Sequence, residues 1–105
     1  MLLATSAHRI TAGIKGSQYV SLRSQMICCA MSITANIAEG RAQRSDREYA
    51  RFLGYSLVSA NELESHLLLS NRMGLIDDRN CEKAVGLAIE VRKMLHALMR
   101  RLDAN

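Results

Sequence analysis

Two groups of side chains in this 105-residue chain have the types and spacing that chemistry requires. The first is polar and sits inside an otherwise apolar stretch. Gln25, Ser32, Asn36 and Glu39 are separated by steps of seven, four and three, which at about 100° per residue places all four on one side of a helix. Ser and Asn compete with a helix backbone for hydrogen bonds, and a carboxylate near a helix C-terminus opposes the macrodipole, so this line needs partners. Tyr55, Ser59, Glu62 and His66, at steps of four, three and four, form a second line on a later segment and are the natural counterpart. Hydroxyl, amide, carboxylate and imidazole groups facing each other are the material of an acid–base site or of a hydrogen-bonded network. The catalytic signatures are missing: there is no nucleophile elbow, Gly-rich phosphate loop or CxxC pair. His8, His66 and His96 fall in different segments, and Glu62 with His66 is one Glu–His pair rather than the doubled Glu-x-x-His of a di-iron bundle. The reading is therefore non-enzymatic, with no catalytic residue, no metal, no cofactor and no small-molecule substrate. The two lines are expected to form a buried structural seam that fixes helix register and subunit arrangement, the competing reading being a solvated strip.

The second group is cationic. Eleven Arg stand against three Lys, and the guanidinium fork suits bidentate contact with phosphate. Arg41, Arg44, Arg47 and Arg51 form one series, and Arg92, Lys93, His96, Arg100 and Arg101 a second. Both are candidate nucleic-acid-binding sets. Each has a plainer explanation as well, since Arg51 can pair with Glu48 three residues away and cations in a final helical turn are favoured by the macrodipole. The formal net charge is +4, and no acidic residue precedes Glu39, so the first third is purely basic. Aromatics are only 4% of the chain, too few for base stacking, so any contact with RNA or DNA would be directed at the backbone, weakly sequence-specific and salt-sensitive.

These groups need rigid elements to hold them. Apolar residues make up 49% and there is no Pro, which favours helices with an aliphatic core. A first, short helix runs from about Leu2 to Lys15, with Leu3, Ile10 and Ile14 on one face. Ser21 to Glu39 forms a second, apolar almost all round, with Leu22, Met26, Ile33 and Ile37 as its stripe and Gly40 as a left-handed stop. Ser45-Asp46-Arg47-Glu48 reads as a capping box starting a third helix, whose seam of Tyr49, Leu53, Ala60, Leu63 and Leu67 ends at Gly74 in a Schellman turn. Ile76, Asp77 and Cys81 then suggest a hydrophobic staple around an N-cap. The fourth helix follows with Cys81, Ala84, Ala88, Val91, Leu95, Leu98 and Leu102. Long amphipathic helices joined by short links predict an all-α, antiparallel up-down four-helix bundle with a short first helix, one domain over residues 1–105.

Three cysteines suit a reducing compartment, and adjacent Cys28 and Cys29 are expected to fill a core. The opening residues lack a charged n-region, and no run approaches the roughly 20 apolar residues of a membrane span. The expectation is a cytoplasmic protein without a membrane partner.

Ser32-Ile33, Ala35-Asn36-Ile37-Ala38-Glu39-Gly40, Arg44-Ser45, Arg51-Phe52-Leu53, Glu62-Leu63-Glu64 and Leu67-Leu68-Leu69, together with Gln25, Glu48 and Ser59, resemble the four-helix-bundle family of 23S ribosomal RNA intervening-sequence proteins over about Leu22 to Leu102. The resemblance implies an antiparallel bundle assembled as a ring-shaped homopentamer. It also implies, through related accessory proteins of diversity-generating retroelements, contact with nucleic acid and with a reverse transcriptase. The chain departs from the pattern at Thr34, where the family usually has Pro, and at Ile27 and Cys28, where it tends to have Arg. An aromatic N-terminal opening is absent as well. Two functions follow as expectations. One is an accessory nucleic-acid-binding homo-oligomer; the alternative is a structural or adaptor bundle that binds only protein.

Overall fold

The computed structural model describes residues 2–104. Its helices are α1 (Leu2–Ala12), α2 (Val20–Arg41), α3 (Asp46–Arg72) and α4 (Asp78–Ala104), with a single turn of 3-10 helix at Ser17–Tyr19 leading into α2. No strand occurs among the described residues. Close backbone approaches join α1 to α2, α2 to α3, α3 to α4 and α4 back to α1, whereas the diagonal pairs meet only through side chains of the core among the described residues. That cyclic order is an up-down bundle in which every neighbouring pair is antiparallel, in an envelope of 47 × 22 × 18 Å.

Local chemistry sets most of the boundaries. Ser45 is extended (φ −131°, ψ 152°) and its hydroxyl accepts the Glu48 amide at 3.2 Å, so α3 starts where the N-cap places it. The Glu48 carboxylate turns toward Arg51, 3.4 Å away. At the other end Gly74 has φ 76°, its amide donates to the Asn71 carbonyl at 3.0 Å, and the Leu75 amide donates to the Ser70 carbonyl at 2.9 Å. Those two bonds form the Schellman turn. Asp77 caps α4 by accepting the Asn80 amide at 2.7 Å, while Asn71 ties the link down through the Ile76 carbonyl and the Asp78 carboxylate.

Two boundaries differ from expectation. α1 ends at Ala12, and Ile14 beyond it is still buried. Arg23 holds this connection by donating to the carbonyls of Ile14 at 2.8 Å and Gly16 at 3.0 Å. Gly40 does not stop α2. The helix continues to Arg41, and the only glycines at positive φ are Gly16 and Gly74 among the described residues. The reason for Gly40 is space: a Cβ there would lie 2.7 Å from Tyr49 Cδ1 and 3.0 Å from Phe52 Cβ.

The core has two parts. At the end where α1 lies, Leu3, Ala7, Ile10 and Ile14 close over Met26, Ala30, Ile33, Leu63, Leu67, Cys81, Ala84 and Ala88. α1 has only 11 residues, about 16 Å, against about 40 Å for the 27-residue α3 and α4. Val91, expected in the core stripe, is only half-buried against this cluster; beyond it Leu53 and Leu95 remain fully buried, but Leu98 and Leu102, expected in the same stripe, are only half-buried. The inner seam of α3 also contains Ser56 and Ser70, both completely buried, which the apolar pattern did not include.

The glycine geometry makes a paired prediction. Gly40→Ala forces the α2–α3 contact apart and should cost about 1–3 kcal/mol, lowering Tm by several degrees. Gly86→Ala, where a Cβ meets nothing within 4 Å on a helix, should stabilise by about 0.5–1 kcal/mol. Thermal unfolding followed by circular dichroism reads both.

Candidate functional site

The two polar lines meet along the outer edge of the α2–α3 interface. Ser59 Oγ donates to Ser32 Oγ at 2.9 Å, and Asn36 Nδ2 donates both to that oxygen at 3.0 Å and to the Ser32 carbonyl at 2.9 Å. One turn away the Cys29 thiol donates to Glu62 Oε2 at 3.5 Å. On the inner side Ser56 Oγ donates to the Ile33 carbonyl at 2.8 Å, and Ser70 Oγ, which donates to the His66 carbonyl at 2.7 Å, also lies 3.7 Å from Met26 Sδ. The pairs 26/70, 29/62, 32/59 and 33/56 step in antiparallel register, so these bonds form a ladder between the two helices.

The ladder gathers only half of the eight residues named for it. Ser32, Asn36 and Ser59 are half-buried and Glu62 is exposed, so the seam lies at the surface edge of the interface rather than deep within it. Gln25 is exposed beside Ser24 and Cys28. Glu39 is exposed, and its carbonyl accepts from Gln43. Tyr55 stacks edge-on with Phe52 at 5.5 Å under the Arg51 guanidinium. The His66 side chain borders a shallow depression with Val58, Asn61, Glu62 and Ser65 and enters none of the ladder's bonds. Cys29, Ser56 and Ser70 belong to the ladder and were not in the sequence-derived set. A small polar residue at a core position of a helical seam is the signal that would have found the two serines.

Nothing in this arrangement activates a nucleophile. The hydroxyls bond to one another and to carbonyls, with no imidazole among them, and no group of three or more His, Cys, Asp or Glu among the described residues is placed to hold a metal. Burial pushes the Cys29 thiol up to about 11, helped by its hydrogen bond to Glu62 and by that carboxylate's charge. Burial also raises the Cys81 thiol. Neither has thiolate character at neutral pH. Cys28, expected in the core with its neighbour, instead faces solvent, because adjacent helical residues point about 100° apart.

The cationic residues fall into two states. Arg92 is anchored: it donates to Glu64 Oε1 at 2.7 Å and to Asn61 Oδ1 at 3.3 Å, joining α4 to α3 with both ion-pair side chains largely covered. Arg51 is held by Glu48 and lies over the rings of Phe52 and Tyr55 at 5.6 and 5.9 Å. Arg41, Arg44, Arg47, Lys93, Arg100 and Arg101 are exposed and make no ion pair among the described residues, and His96 is exposed beside them. The antiparallel order puts the α2–α3 turn at the end of the bundle where α4 finishes. Arg41, Arg44 and Arg47 therefore share that end with Arg100 and Arg101, while Lys93 and His96 lie one to two turns back along α4. Among the described residues the side-chain carboxylates nearby that form no ion pair are Glu39, Asp46, Glu90 and Asp103, fewer than the cations.

An antiparallel α-helical bundle with exposed arginines at one end defines an all-α class of protein. Within it the chain belongs to the family of 23S rRNA-intervening sequence proteins, whose family model matches residues 1–97. It is similar in fold to a crystal structure of a protein of unknown function from the S23 ribosomal protein family of Bacteroides thetaiotaomicron VPI-5482. The TM-score is 0.87 at 24% identity, over 93% of this chain and 92% of that one. No curated protein matches the sequence. No helix among the described residues is long and apolar enough to cross a membrane.

Two measurements check the site geometry. A double-mutant cycle on Arg92→Ala and Glu64→Ala should give a coupling of about 0.5–1 kcal/mol, because the pair is partly covered; independent effects would show that the bridge does not form. The Cys29 thiol keeps its proton in the folded state above the pH at which the unfolded chain loses it. Its contribution is fully present below pH 9 and is lost as pH rises toward 11. Wild type and Cys29→Ala, compared by denaturant unfolding, should therefore converge over that window relative to their separation at pH 7.

Proposed function

We propose that this protein is a non-enzymatic, homo-oligomeric bundle, pentameric by its family resemblance, that serves as an accessory nucleic-acid-binding subunit. RNA is the favoured ligand and a reverse transcriptase a candidate protein partner. The observation that carries this reading is the convergence at one end of the bundle of arginines from two sequence regions, the α2–α3 turn and the last turns of α4, that form no ion pair among the described residues. Unpaired guanidiniums on rigid helix ends suit phosphate oxygens spaced along a backbone. The family name, which refers to an insertion within 23S rRNA, agrees with an RNA ligand. An adaptor that binds only protein is the second reading, favoured by the half-exposed Val20, Met31, Val58 and Leu69 on the outside of α2 and α3.

Binding of a labelled structured RNA hairpin, followed by fluorescence anisotropy at about 50 and about 200 mM salt, tests the first reading. With about four phosphates contacted, each contributing about 0.9 to the slope, affinity should fall on the order of 100-fold across that range. Replacing Arg44 and Arg100 together by Ala should flatten the slope by nearly two, whereas Arg72→Ala at the opposite end should not change it. No measurable affinity even at the lower salt would reject RNA binding and leave the adaptor reading.

A further inference from the structure

α2 and α3 each carry a second seam on the side away from the core. In α3 the inner seam is Leu53, Ser56, Ala60, Leu63, Leu67 and Ser70, every one of them buried. Displaced by two residues, roughly 200° around the helix, Tyr55, Val58, Glu62, Ser65 and Leu69 repeat the same alternation of three and four, and Met73 ends the line. All are exposed, with Tyr55, Val58, Leu69 and Met73 between 45% and 56% accessible. In α2 the outer line is Val20, Ser24, Ile27, Met31, Thr34 and Ala38, roughly 120° from the buried line of Met26, Ala30, Ile33 and Gly40. Met31 is 62% exposed, and no charged residue occurs between Ser24 and Ala38. A surface helix normally turns charge outward and needs one seam. Here two adjacent helices have both an inner and an outer one.

We infer that these outer seams are the two halves of one contact between copies of this chain, α2 of one copy packing against α3 of the next. Three features select a second copy and this pairing. Each seam spans 19 residues, Val20 to Ala38 and Tyr55 to Met73, so the ends of each lie about 27 Å apart and the two match end to end. Glu62 stands at the middle of the α3 seam, so packing that seam against itself brings two carboxylates together, whereas the α2 seam presents no charge to it. The chain itself supplies both complementary surfaces. A contact between unlike faces leaves one of each free at every step, so it propagates to a closed ring or a filament instead of stopping at a two-fold dimer. The basic end of the bundle stays outside the contact, so every copy keeps its arginines exposed. This assignment rests on the homo-oligomer proposed above and specifies which surfaces build it.

Complementation between two variants tests it. Met31→Glu spoils only the α2 seam and Val58→Glu only the α3 seam; both positions are exposed in the single chain, so circular dichroism and melting should match wild type. Sedimentation should show wild type as an assembly larger than a dimer and each variant alone as a monomer. An equimolar mixture should give a one-to-one heterodimer and nothing larger, since the intact α3 seam of one variant meets the intact α2 seam of the other. Self-pairing of either variant, or a mixture that stays monomeric, would overturn the pairing. If both variants keep the wild-type mass, the seams are not the interface although the protein is oligomeric. A monomeric wild type at high concentration would remove the oligomer and the seams together.

Discussion

The close approach of α2 to α3 is the contact on which the other features depend. It is built from residues that are small where a helical bundle usually places bulk: Ala30, Gly40, Ser56, Ala60 and Ser70 are buried along it, with Ser32 and Ser59 at its edge. Small side chains bring two backbones close together, and at that distance a hydroxyl reaches the facing carbonyl or hydroxyl, as Ser56 does to Ile33 and Ser59 to Ser32. Hydrogen bonds have a direction, so they set axial register more sharply than interchangeable methyl groups do. No buried side-chain N or O among the described residues lacks a partner, so the polar core residues carry no unmet desolvation cost. Gly40 belongs to the same constraint: the ring of Tyr49 and the Cβ of Phe52 occupy the volume that a side chain there would need.

Fixing α2 against α3 also fixes where the charge lies. The hairpin puts residues 41–47 at one end, and α4, antiparallel to α3 and joined to it by the Arg92–Glu64 bridge, returns to that end in its last turns. Arginines more than fifty positions apart in sequence thus become neighbours at one pole. The long outer faces of α2 and α3 are left largely uncharged, so polar contact at the pole and apolar contact along the sides use different surfaces. Neither use needs to displace the other.

The parts of this arrangement that were legible in the sequence are those governed by nearest neighbours. The Ser45 and Asp77 N-caps and the Schellman turn at Gly74 each require a particular residue within a few positions, and each formed, although the Glu48 carboxylate turned to Arg51 instead of closing the capping box. Periodicity identified the four helices because burial of one face recurs with the helical turn. Gly40 was misread because a glycine near a helix end has two physical uses, positive φ or close approach, and only the partner helix distinguishes them. Arg92 gave no sign of being anchored, since Glu64 lies 28 positions away. Cys28 was grouped with Cys29 by adjacency, although neighbouring helical positions face different ways. The polar lines were visible as lines, but which members bond depends on a register that the small residues of the α2–α3 contact set in three dimensions.

Two methionines make the most direct measurement possible. Met31 on the outer face of α2 and Met94 on α4 are similarly accessible in the single chain, at 62% and 51%. Hydroxyl-radical oxidation read by mass spectrometry, over a dilution series of the wild-type protein, reports the exposure of each. If the outer faces of α2 and α3 build the assembly and leave α4 open, Met31 is protected at high concentration and recovers on dilution, while Met94 reacts equally throughout. Protection of Met94 with Met31 reactive, or equal reactivity of both at every concentration, would contradict the account.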